Sequence, residues 1–147
     1  MVVRRGVRWT LVTMVVLWTA SAWAQTVVLF PTSYLVDPRS DVGPPEGGRS
    51  EASIMATPGE FEPLAFGVRS DKYVEEVRLS VSDFVAADGR DKISGKNLRL
   101  SKLGRVVNKG RGNYVTVLAP AVPFELPSRI TRHFWLTVKV PENARPG

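Results

Sequence analysis

The stretch RHFWLTVKVPENARPG, residues 132–147, decides the fold. Phe134, Leu136, Val138 and Val140 alternate with Trp135, Thr137 and Lys139, the period of two that sends every second side chain to the same face of a strand. One face is apolar throughout, so the strand is expected to lie half-buried in an antiparallel sheet. Pro141, Pro146 and Gly147 follow and read as a turn. Such a turn is the usual device for sending a chain back to pair with the strand it has just left. The expectation is therefore a strand at an open sheet edge, in a domain that lacks its last strand.

Working outward, Tyr114 to Leu118 and Asn97 to Val107 read as strands joined by NKGRGN. Val77, Leu79 and Val81 alternate with Arg78, Ser80 and Ser82, a further half-buried strand. FEPLAFGVRS reads as a strand whose Pro63 belongs at an edge or bulge, because proline has no N–H for a ladder. SIMA, Ser53 to Ala56, is a shorter strand, and TPGE between the two is a tight turn. Asp88-Gly89 and Ser94-Gly95 mark other turns. No window holds apolar residues at helical spacing with caps. Short strands with frequent turns define an all-β, antiparallel β-sandwich, Ig-like or jelly-roll-like.

The beginning of the chain differs in kind. Arg4, Arg5 and Arg8 precede the apolar run TLVTMVVLWTASAWA, and Ala22 and Ala24 flank Trp23 just before Gln25. A basic start, a short apolar core and small residues at the end describe a helical secretory signal peptide over residues 1–24. The product is expected to be periplasmic or extracellular, with no membrane contact after cleavage. Residues 25–50 form an extended Pro/Gly-rich lead-in: TVVLF and YLV are apolar, and DPRSDVGPPEGGR cannot support a helix or a ladder. Residues 51–147 form the β-sandwich domain.

Composition narrows the function classes. The chain has no cysteine, which excludes disulfides, thiolate metal sites and a lipid-modified N-terminal Cys. Of the formal net charge of +6, half comes from the three leader arginines. The remaining basic residues are interspersed with acidic ones, as in Asp71, Lys72, Glu75, Glu76 and Arg78, so no nucleic-acid stripe is expected.

Several residue sets invite a chemical reading. Glu60 and Glu62 stand two apart, ~7 Å between Cβ atoms on a strand, within the range of a glycosidase pair. Their place beside a Pro-Gly turn favours a structural role, the carboxylate accepting turn amides. Asp83, Asp88 and Asp91 lack the spacing of a calcium loop. Gly89, Gly95 and Lys96 lie near a phosphate-loop pattern, with one residue too many between the glycines and Asn97 in the Ser/Thr position. Lys109 to Asn113 read as a solvated hairpin tip. His133 is the only histidine, which argues against zinc. No catalytic residue, metal site or cofactor is expected. Trp135 stands out: opposite an apolar face, its indole is core, a domain-interface contact or a carbohydrate contact.

Two stretches resemble a known family. MATPGEFEPLAFGVRSDKYVEEVRLSVSDF, Met55 to Phe84, and FWLTVKVPENARPG, Phe134 to Gly147, resemble the N-terminal β-sandwich that precedes the catalytic barrel in secreted bacterial proteins related to glycoside hydrolase family 123. In such domains an extended strand enters a Gly-Glu turn, matched by Gly59-Glu60. The family's acidic catalytic pair lies in the barrel, so no catalytic residue carries over. The resemblance implies a non-catalytic accessory domain whose partner is an adjacent carbohydrate-active catalytic domain. The alternatives are a free-standing carbohydrate-binding module contacting polysaccharide, and an envelope adhesion or assembly module accepting a strand along an open edge.

Overall fold

The computed structural model describes residues 7–10, 27–33, 37, 41–46, 51–85, 91–108 and 113–145. In chain order its strands are β1 (Val7–Thr10), β2 (Val27–Pro31), β3 (Ser53–Ala56), β4 (Phe61–Ser70), β5 (Val74–Val77), β6 (Phe84–Val85), β7 (Lys92–Ile93), β8 (Leu98–Asn108), β9 (Asn113–Pro120), β10 (Phe124–Leu126) and β11 (Arg132–Lys139). A single turn of 3₁₀ helix, Gly95–Asn97, leads into β8. The molecule is all-β and antiparallel, and among the described residues no helix is long and apolar enough to cross a membrane.

Five strands form the main sheet in the order β2-β4-β11-β8-β9. β11 lies at its centre. Arg132 to Lys139 pair with Val68 to Phe61 of β4, and Phe134 to Val138 pair with Lys102 to Leu98 of β8. The open edge expected at this strand is therefore not found: both its ladders are occupied, by strands that precede it by about 70 and about 35 residues. Local turn chemistry pointed to a hairpin partner, whereas burial of the apolar face is satisfied by neighbours remote in sequence. Among the described residues the edges of the sheet are β2 and β9.

Residues that meet across the ladders share a face. On the first face Phe134 stands between Phe66 and Lys102, Leu136 between Leu64 and Leu100, and Val138 between Glu62 and Leu98. This face builds the core. Phe66 stacks on Phe134 with centroids 5.5 Å apart, and Phe124 tilts onto Phe134 at 5.0 Å, each pair adding ~0.5–1.5 kcal/mol beyond area burial. Two short ladders cover the face: β5 with β10, where Val77 meets Phe124 and Val74 meets Leu126, and β6 with β7, where Phe84 meets Ile93. Val77, Phe84, Ile93, Phe124 and Leu126 join the buried cluster.

The alternation at Val77, Leu79 and Val81 is real in burial but not in hydrogen bonding. Leu79 and Val81 pack against the core, yet β5 ends at Val77. Apolar periodicity measures which way side chains face, and among the described residues no strand extends the ladder past Val77. Contrary to expectation, Pro63 does not put β4 at the edge of the sheet but sits where one side of the strand has no described partner strand. β2 pairs only with Phe66 to Ser70 of β4, so Pro63 falls in the part of β4 where β11 is its only described partner strand. Pro58 and Gly59 make the expected turn, with the Glu60 amide donating to the Thr57 carbonyl at 3.1 Å and Gly59 at φ 86°; Pro then Gly at its centre suits a type II turn.

The expected leader is described only at Val7–Thr10. These four residues are extended and pair antiparallel with β3, Val7 opposite Ala56 and Thr10 opposite Ser53. They are not helical. Val, Trp and Thr favour strands, and the β3 edge offers them a ladder. The remainder of residues 1–24, with the cleavage motif, lies outside the described residues. β2 falls within the expected lead-in and is a strand of the main sheet.

Candidate functional site: the second face of the sheet

Facing away from the core, the main sheet presents Trp135 between Ala65 and Ser101, Thr137 between Pro63 and Arg99, and Gly67 between His133 and Phe30. Leu103, the next position but one after Ser101 on β8, is opposite Leu118 of β9. This face has two unlike ends.

At one end the chain closes the face with its own lead-in. Asp41 pairs with the Arg69 guanidinium, which also donates to Thr131 Oγ1 at 3.2 Å. The Thr131 hydroxyl donates to the Val42 carbonyl at 2.6 Å, and Arg105 donates to Asp37 Oδ2 at 3.2 Å. These anchors on β4, on the approach to β11 and on β8 fasten Asp37, Asp41 and Val42 to the sheet, and these three residues are the strap. Phe30, Leu103, Thr131 and His133 are buried at this end. Gly67 permits the packing: a Cβ there would lie 2.7 Å from Phe30 Cζ and 2.9 Å from Thr131 Cγ2. His133 lies on the same face as Trp135 and Thr137 and is only 2 % exposed.

At the other end no described segment is fastened across the sheet. Trp135 is half-buried, between Ala65 and Ser101, which are both buried. The large ring is flanked in register by two small side chains, and part of its surface stays accessible. Around it Thr137 is half-buried, and Arg99, Pro63 and Pro120 are exposed. This apolar patch, rimmed by a guanidinium and a hydroxyl, is the part of the face where a planar or apolar ligand surface could dock.

The other sequence candidates are not brought to this patch. Glu60 Oε2 accepts the Thr57 amide at 3.0 Å, so its carboxylate braces the turn. Glu62 lies opposite Val138 on the core-facing side. Asp83 accepts the Gly95 amide at 2.7 Å and the Lys92 ammonium at 2.9 Å. These two contacts, the Gly95 amide foremost, hold its carboxyl below the usual carboxylate range. The Gly95 amide is thus committed to Asp83 and not presented to a phosphate. Asp88, Gly89 and residues 109–112 lie outside the described residues. Among the described residues no three His, Asp or Glu side chains gather as metal ligands.

Sequence reasoning missed the strap. Its ion pairs join residues 28 and 68 positions apart, a separation at which sequence carries no pairing signal. The available hint was two aspartates, Asp37 and Asp41, in a Pro/Gly loop, with arginines at outward strand positions.

No family model matches the chain, and no curated protein matches it. Among solved structures it is similar to a family 123 glycoside hydrolase from Clostridium perfringens, studied for glycolipid glycan hydrolysis. The likeness has a TM-score of 0.50 and 23 % identity, over 63 % of this chain and 17 % of that one. At that identity it is a likeness of fold. The chain spans less than a fifth of the neighbour's length, and the neighbour belongs to the family that the stretches Met55 to Phe84 and Phe134 to Gly147 resemble.

Proposed function

We propose that this chain is a non-catalytic, exported β-sandwich accessory domain that packs beside a carbohydrate-active catalytic domain, with the patch around Trp135 as the contact. The observation that carries the reading is the match of 63 % of this chain to only 17 % of a glycoside hydrolase chain, the proportion expected of one module in a larger enzyme. The patch supports it: a sheet face sealed at one end by its own strap and left apolar at the other suits contact with a neighbouring module better than chemistry. The leader motif supports export.

A second reading rests on Trp135 itself. A half-buried indole beside Thr137 and Arg99 could stack on a sugar ring, the hydroxyl and guanidinium serving its hydroxyl groups. The two readings separate in one experiment. Wild type and Trp135→Ala are each tested on a glycan array and against an isolated family 123 catalytic domain. The accessory reading predicts binding to the protein domain that Trp135→Ala weakens, and no glycan retention. Glycan capture that requires Trp135 would make the chain a carbohydrate-binding module. Intact-mass measurement of secreted protein tests export: mature material should begin at Gln25.

A further inference from the structure

From the edge of the main sheet, we infer that β9 is a self-association strand: two copies of this chain pair antiparallel along β9, joining their sheets into one. β9 is an eight-residue edge strand paired with β8 from Pro120 opposite Ser101 to Asn113 opposite Asn108. Among the described residues no strand pairs with its outer side. Natural edges of this length are normally blunted by lysine, by an inward charge or by an early proline. β9 has none of these. The run NYVTVLAPAV, residues 113–122, carries no charge, and its first proline is the last residue of the strand.

The same chemistry names the occupant. In a two-fold antiparallel pair each residue faces a residue of the same strand, so any charge near the middle would meet its like and be penalised. The other long strands, β4, β8 and β11, each have a neighbour on both sides and carry charged residues, so none of them offers an uncharged free edge. β9 is the long strand that does. With the axis near Val117, Val115 pairs with Ala119 and Thr116 with Leu118, all uncharged, and Val115, Thr116 and Val117 are of high β propensity. Association would also cover Leu118, now 49 % exposed. A single strand pair is a small interface, so micromolar affinity is expected. The inference is independent of the Trp135 reading.

The test uses sedimentation velocity of the whole chain across ~1–200 µM. Dimer should form within that range, and Thr116→Lys should raise the dissociation constant about tenfold or more. Thr116 is exposed, and unchanged circular dichroism confirms folding. Because the chain has no cysteine, single cysteines placed in turn at Thr116, Val117 and Leu118 supply a second readout. Oxidation should give disulfide-linked dimer at the position nearest the axis, and far less for Thr137→Cys at the sheet centre. A wild-type chain monomeric throughout overturns the inference. So does self-association indifferent to Thr116→Lys, or equal cross-linking at Thr137.

Discussion

The two faces of the main sheet use the same five strands and close in different ways. The first face is sealed by packing: Phe66, Phe134 and Phe124 stack within a continuous apolar cluster. The second is fastened at one end by polar contacts, Asp37 to Arg105 and Asp41 to Arg69, beside the buried Phe30 and His133, and among the described residues nothing is fastened across it at Trp135. Burial of apolar area is non-directional and large, whereas each partly exposed ion pair contributes little. Stability therefore resides on the first face. The second is where the fold can present a surface without risking its core.

The contrast is broken most severely at Phe134. Phe134→Ala should destabilise the domain by ~3–5 kcal/mol, and Leu136→Ala or Val138→Ala by ~2–4, measured by urea unfolding. On the second face the most sensitive position is Gly67. The added methyl of Gly67→Ala forces Phe30 or Thr131 to move, with an expected cost of ~1–3 kcal/mol. Truncating the opposing ring relieves that clash, so the double variant Phe30→Ala with Gly67→Ala should cost less than the sum of the single variants.

Loosening the strap should do less. Arg69→Gln is expected to cost ~0.2–1 kcal/mol in global stability, yet it should speed proteolysis between Asp37 and Val42. A loss as large as that of Phe134→Ala would mean that the strap belongs to the core.

The smallest effect concerns pH. The lowered pKa of Asp83 means that its contribution is present above the unfolded carboxylate value of about 4 and is lost as pH falls through the folded value. Thermal unfolding between pH 7 and 3 should show a shallower acid decline for Asp83→Asn than for wild type. An identical decline would show that the Gly95 and Lys92 contacts do not persist in solution.

What could be read in advance follows from where the information lies. The alternation at Phe134 to Val138 reports a burial pattern, and it identified β11 and its core face correctly. It holds nothing about partners, so the placement of β11 at an edge rested on the turn after it, and remote strands β4 and β8 fill both ladders. Gly59 was legible because a positive φ is a local constraint, whereas the missing N–H of Pro63 did not place its strand at an edge of the sheet. Trp135 was legible as an aromatic opposite the apolar face, but its half-burial depends on Ala65 and Ser101 lying beside it. The strap was not legible, since Asp37 and Arg105 meet only once the sheet exists.

Side-chain oxidation by hydroxyl radicals, read residue by residue by mass spectrometry, tests the division of the second face most directly. In the native chain Trp135 and Leu118 should label readily, while Phe30, Leu103 and His133 stay protected together with Phe134. Combining Asp41→Asn with Arg69→Gln should raise labelling of Phe30 and His133 and leave Phe134 protected. Trp135 as protected as Phe134 in the native chain, or strap-end residues that label as fast as Trp135, would contradict the account.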